Sequence, residues 1–167
     1  MDQAVTIRKA SLEDIGTIQR LAYEIWPVTY GHLMSADRLQ YMLQLIYSPD
    51  ALQNQMQESE HIFLLAEMGS MPVGFASYAA TPEAGVYKLH KIYVSTVIQG
   101  KGIGKMLLQE VLESVKKLQA TALILNVKRD NPAKFFYEKL GFIITREEDI
   151  DIGQGYFMND YVMEKKL

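Results

Sequence analysis

The stretch Lys88–Leu118, KLHKIYVSTVIQGKGIGKMLLQEVLESVKKL, limits what the chain can fold into more than any other part of it. It reads as a strand, a glycine-rich turn and a helix. From Lys88 to Val94 the residues alternate, with Leu89, Lys91 and Tyr93 on one side and His90, Ile92 and Val94 on the other. That is the period-two signal of a half-buried strand. After the turn Gln99–Lys105, residues Ile103, Met106, Leu107, Val111, Leu112, Val115 and Leu118 recur at helical spacing along one stripe. Glu113 and Lys117 stand four apart on the outer face, in the order that favours a helix.

The turn has a chemical reading. Gly100, Gly102 and Gly104 remove the Cβ atoms that keep a ligand off the backbone. The first-turn N–H groups of the helix then face whatever sits there, at the partly positive end of the aligned peptide dipoles. A phosphate is the natural occupant, and Lys101 and Lys105 add formal positive charge. The plain alternative is a tight helix entry with no ligand. The standard nucleotide loops do not fit. A dinucleotide fingerprint needs glycine where Lys105 stands and an acid near Leu123–Leu125, which is apolar; a P-loop needs a hydroxyl where Met106 stands.

The rest of the chain frames this unit. Val5 and Ile7 mark a first strand, and Ser11-Leu12-Glu13-Asp14 resembles a capping box before a helix with Ile15, Ile18, Leu21, Ala22 and Ile25 inward. Trp26-Pro27 is expected to end that helix, leaving Val28–Leu33 as a loop. Ser35 caps a second helix, with Leu39, Met42, Leu43 and Ile46 inward; Ser48-Pro49 starts a third, with Leu52 and Met56. His61–Met68 and Pro72–Ala80 form a hairpin about Gly69-Ser70-Met71. Thr121–Val127 is continuously apolar, a strand covered on both faces. Asn131-Pro132 opens a short helix to Lys139 that Gly141 closes, and Phe142–Arg146 and Gly155–Met163 form a final strand pair. The acids Glu147, Glu148, Asp149 and Asp151 read as a solvated loop, or as a lure for a cation.

Composition narrows the function classes. A chain of 167 residues with 49 % hydrophobic and 22 % charged residues suits one domain, residues 1–167, burying roughly 70 % of its unfolded surface. A net charge of −3 gives no reason to expect nucleic-acid binding, which usually shows a basic face. The absence of cysteine rules out a disulfide, a thiolate metal site and a cysteinyl acetyl-enzyme, and agrees with a reducing cytoplasm. His32 and His61 lack partners at ligand spacing, so no metal is expected. The leading MDQAVTIRKA lacks a signal-peptide apolar run, and nothing approaches a membrane span.

Gln-x-x-Gly-x-Gly at Gln99–Gly104, followed at this spacing by Asn131-Pro-Ala-Lys-Phe-Phe-Tyr-Glu-Lys-Leu-Gly-Phe142, resembles the two signatures of the GNAT superfamily of N-acetyltransferases. The likeness covers essentially the whole chain. The segment IWPVTYGHLMSADRLQYML and the tail GYFMNDYVMEKKL further resemble a bacterial subgroup that includes spermidine and spermine acetyltransferases. The resemblance implies an α/β fold: a mixed, mostly antiparallel sheet flanked by helices, its central strands splayed into a cleft. It implies acetyl transfer from acetyl-CoA to an amine, a small polyamine or else a protein amino group. A non-catalytic acetyl-CoA module is the rival that would not need Tyr137. By the same resemblance, amides from Gln99, Gly100, Lys101, Gly102, Ile103, Gly104 and Lys105 hold the pyrophosphate, and Ile92, Tyr93 and Val94 the pantetheine. Asn131 bonds the pantetheine arm and Tyr137 lies beside the sulfur. Trp26, Tyr30 and Glu24 overlie the acceptor side, and a homodimer is common.

These roles suit the chemistry. A backbone N–H near Val94 would stabilise the oxyanion. A phenol at Tyr137 can protonate the departing thiolate, and an ammonium acceptor needs a base, for which His90 is the candidate. Histidine there departs from the carboxylate often found in relatives, and a hydrogen-bonded structural histidine stands beside the base reading. Tyr137 shares a helical face with Ala133, Phe136 and Leu140 and also reads as core; Asn131 is an N-cap either way. Trp26, Tyr30 and Glu24 also read as packing and surface residues.

Overall fold

A computed structural model describes residues 4–98 and 100–167. In chain order the elements are β1 (Val5–Lys9), a 3-10 turn (Leu12–Asp14), α1 (Ile15–Tyr30), α2 (Ala36–Tyr47), α3 (Pro49–Gln57), β2 (Ile62–Met68), β3 (Met71–Ala80), β4 (Val86–Val94), α4 (Ile103–Lys117), β5 (Ala122–Lys128), α5 (Ala133–Lys139), β6 (Ile143–Gly153) and β7 (Tyr156–Lys166). One seven-stranded sheet runs through the chain in the order β1-β2-β3-β4-β5-β7-β6. Its described neighbours are antiparallel except β4 and β5, which α4 joins as a crossover.

Helices cover both faces. α4 and α5 close one: Ile103, Leu107, Leu108, Val111, Val115 and Tyr137 pack on Leu64, Ala76, Leu89, Leu123 and Leu125. α1, α2 and α3 close the other, with Leu21, Ile25, Trp26, Met42, Tyr47 and Leu52 on Phe63, Leu65 and Phe75. The strand β2 feeds both cores alternately, which its near-continuous apolar sequence requires. Ser35 and Ser48 cap α2 and α3 as their sequence suggests, their hydroxyls accepting from the amides of Arg38 and Ala51.

Four local expectations give way to tertiary structure. α1 does not stop at Trp26 but continues through Pro27 to Tyr30. Proline withholds one intrahelical N–H in the last turn, yet the continued helix seats Trp26, only 4 % exposed, in the α1–α3 core. Residues 28–30 are therefore helix, not loop. On α4, Met106 and Leu118 are exposed while Leu108 is buried, so the apolar stripe lies slightly rotated from the expected one. The acids Glu147, Glu148, Asp149 and Asp151 lie on β6, paired along β7 rather than in a loop.

The fourth change matters most. Along β3 and β4, Ser77 faces Lys91 and Tyr78 faces Leu89, leaving His90 as an extra residue in a bulge. The extra residue breaks the strict alternation of β4. Leu89, Ile92 and Val94 belong to the α4 side, whereas Lys91 and Tyr93 turn to the α1–α3 side. His90 does not share a face with Ile92 and Val94; it stacks on His61, ring centroids 4.1 Å apart.

Candidate active site

Past Leu89, β4 loses its pairing with β5. β4 and β5 pair only over Val86–Leu89 against Ala122–Leu125; beyond that β4 stays with β3 while β5 follows β7 to Lys128. The divergence opens a cleft of about 750 Å³ through the sheet, lined from both helical layers.

On the α4–α5 side, the glycine turn aims its amides at an open space. Gly100 and Gly102 have φ of +79° and +70°, a region that other L-residues avoid. Gly102 is the N-cap of α4, and the first amide bonded back within the helix is that of Met106, to the Gly102 carbonyl at 3.0 Å. The N–H groups of Ile103, Gly104 and Lys105 are thus left for an anion. The Ile103 side chain is buried in the core, so only its backbone faces this site. Gly104 lines the cleft, where an added Cβ would meet Val94 Cγ2 at 3.7 Å and Phe136 Cζ at 3.9 Å. Gln99 lies outside the described residues.

Beside Gly104, α5 is short but fixed. Asn131 Oδ1 accepts the Ala133 N–H at 2.9 Å and holds the helix entry while its side chain lines the cleft. Tyr137 also lines it, wedged between the rings of Phe136 and Phe142 at 5.3 and 5.8 Å. Burial, with the nearby Tyr30 phenol, raises the Tyr137 pKa, so it keeps its proton at neutral pH. A protonated phenol in a cleft is a proton donor.

The α1–α2 side is aromatic. Tyr30 and Tyr93 hydroxyls hydrogen-bond at 2.9 Å, and Trp26 packs edge-on to Tyr30 at 4.7 Å. Trp26 and Tyr30 therefore reach the cleft, though from a helix rather than a loop. Glu24 does not: it is exposed on the outer face of α1, 3.8 Å from Arg20. His90 is exposed on β4, yet partial desolvation, then His61, Lys88 and Lys91, lower its pKa, which makes it a poor acceptor for the proton of an alkylammonium. A base weaker than ordinary histidine is poorly matched to so weak an acid, so its surroundings favour the structural reading.

Sequence reasoning missed several polar groups in this cleft. Lys91 is 8 % exposed, donates to Gln55 Oε1 at 2.7 Å and lies over the rings of Tyr47 and Phe63. Asp160 on β7 is 1 % exposed, and its Oδ2 accepts from Asn126 Nδ2 at 3.2 Å. The available signal for Asp160 was an acid at an inward strand position between Met158 and Val162.

Lys91 predicts a pH effect on stability. Burial, then Lys88, lowers its pKa from 10.5 to about 8. A folded pKa below the unfolded one stabilises above the unfolded pKa, and that contribution is lost as pH falls through about 8. At pH 7 the fold therefore carries a buried ammonium, at a cost of up to about 3 kcal/mol before the ring contacts offset it. Lys91→Met should raise Tm at pH 7, with the advantage shrinking toward pH 10. A lower Tm at pH 7 would show that the Gln55 bond and the rings outweigh burial.

Among the described residues there is no cluster of metal-ligand side chains, and no helix is long and apolar enough to cross a membrane. A family model described as an acetyltransferase (GNAT) domain matches residues 34–164. The chain is 32 % identical over 168 aligned residues to the spermidine N(1)-acetyltransferase of Thermoplasma acidophilum, covering 98 % of each. It superposes with a TM-score of 0.83 on the crystal structure of PaiA N-acetyltransferase from Thermoplasma acidophilum in complex with coenzyme A, at 32 % identity over 98 % of this chain and 99 % of that one. A shorter stretch of 69 residues is 35 % identical to the [ribosomal protein bS18]-alanine N-acetyltransferase of Haemophilus influenzae, 41 % of this chain and 44 % of that protein.

Proposed function

The chain belongs to the GNAT acetyltransferase family and is an acetyl-CoA-dependent N-acetyltransferase; from that premise we propose that its acceptor is a small polyamine-like amine, acetylated by direct attack. One observation carries the reading: the splayed strands make a single cleft through the sheet, with different chemistry on its two sides. On the α4–α5 side, the free amides of residues 103–105 suit a pyrophosphate. The unpaired edge of β4 from Ile92 to Val94 suits an extended amide arm such as pantetheine, and Asn131 lies across from it. On the α1–α2 side, Trp26, Tyr30 and Tyr93 offer ring faces to an alkylammonium, about 0.5–2 kcal/mol for each such contact. The spermidine specificity named for the Thermoplasma relative supports the same acceptor class.

Direct attack is supported by one cleft lined from both helical layers and by a sequence without cysteine. In the transfer a C–N bond forms as the C–S bond breaks, and Tyr137, which lines the cleft and keeps its proton, gives that proton to sulfur. The test is to incubate the protein with acetyl-CoA and follow free thiol against spermidine, spermine, short diamines, amino acids and an alanine-ended peptide. Thiol release with polyamines well above the peptide is expected. Turnover of the peptide alone would replace the polyamine reading with a protein amino group.

A further inference from the structure

Asp160 is a carboxylate in a place that costs stability. It is 1 % exposed, and its only described hydrogen bond runs from Asn126 Nδ2 to Oδ2, leaving Oδ1 buried without a partner. An unpaired carboxylate at that depth is expensive, and buried charges ordinarily have cations bonded to them. Lys88 from β4 faces it without a described hydrogen bond to it, and two other nearby cations are engaged elsewhere. Lys128, its neighbour across β5, gives its ammonium to Asp130 at 3.0 Å; Arg146 donates to Glu148, the neighbour across β6, at 2.7 Å. Met158, two residues along the strand, lies in the α1–α3 core, so Asp160 faces the aromatic side of the cleft and not the side of Tyr137's helix.

We infer that Asp160 is the carboxylate that receives the acceptor's ammonium in the cleft, orients its nitrogen and takes its first proton. This rests on the amine-acceptor reading above. An ammonium must lose two protons to become an amide nitrogen. The first passes to Asp160 and frees the lone pair. The nitrogen then bonds to the acetyl carbon, and the C–S bond breaks as sulfur takes a proton from Tyr137. The second nitrogen proton restores the phenol, and Asp160 releases its own to solvent, so each turnover yields one proton.

Burial raises the Asp160 pKa, which makes the group a better proton acceptor than an exposed aspartate. The groups that face it are Lys88 from β4, Asn126 and Lys128 from β5, Glu148 from β6 and Tyr30 from α1. Burial and Glu148 push its pKa up; Asn126, Lys88 and Lys128 pull it down. The competing account is that Asp160 merely balances the charge of Lys88.

The experiment compares wild type with Asp160→Asn, an isosteric change, on the best amine found in the screen and on hydroxylamine, which is largely uncharged at pH 7.5. For the alkylamine, kcat/KM should fall by about 10²-fold or more. With hydroxylamine the loss should be much smaller, because a neutral nucleophile needs no base. The Tm shift caused by CoA should be unchanged, and Tm at pH 7.5 should not drop, since an unpaired buried charge has been removed. Equal losses on both nucleophiles, or a lower Tm with a lost CoA shift, would make Asp160 a structural counter-ion. An active wild type matched by its Asp160→Asn variant overturns the role of Asp160 alone; a wild type inert toward every amine overturns the acceptor reading beneath it.

Discussion

Replacing Tyr137 by phenylalanine is expected to lower kcat by about 10²–10⁴, the range for a lost general acid, with little change in KM for acetyl-CoA. The substitution keeps the ring between Phe136 and Phe142 and removes only a hydroxyl that has no described hydrogen-bond partner. Stability should therefore move by less than about 1 kcal/mol. The hydroxyl matters only as the sulfur departs, so ground-state binding of the donor is untouched. An acetyl thioester of a more acidic thiol leaves without help, and the defect should shrink with such a donor. Because burial raises the Tyr137 pKa, the wild-type rate should show no loss of this acid on the alkaline side up to pH 10. A folded Tyr137→Phe variant with normal turnover would return the residue to a packing role.

The features legible in the sequence are those that local chemistry decides. Glycine at positions 100 and 102 follows from φ values that few other residues accept, and Ser35 and Ser48 follow from orphan amides at helix starts. The two motifs placed Gly104, Asn131 and Tyr137, and the structure brings all three to one cleft. What was not legible depends on pairing between distant segments. The bulge at His90 exists only in the register of β4 against β3, and it sends Lys91 to the face opposite Leu89. Asp160 reaches the cleft only because β7 runs beside β5, which itself leaves β4 after Leu125. Pro27 shows the other kind of failure: a sound local rule, overridden because helical continuation buries Trp26.

Gly102→Val should abolish the stabilisation of the fold by CoA. With CoA at a hundredfold excess over Kd, the wild type should gain about 2.7 kcal/mol. For a domain of this size that corresponds to a rise in Tm of about 5–10 °C. An added Cβ at Gly102 would meet nothing within 4 Å, so the protein itself has room for it. The obstacle is conformational. Gly102 is the N-cap of α4 with φ of +70°, and a β-branched residue there is strained by about 1–2 kcal/mol. The strain is relieved by re-forming the turn, which swings the amides of residues 103–105 away from the anion. The loss is small beside the roughly 5–15 kcal/mol stability of a domain, so the variant should stay folded. Asparagine tolerates the left-handed region better than other side chains, so Gly102→Asn separates two causes. If it keeps most of the CoA shift while valine loses it, backbone conformation is what the glycine supplies. If both lose it, the ligand needs the space a side chain would fill. An undiminished CoA shift in Gly102→Val would mean that the α4 N-terminus does not hold the pyrophosphate.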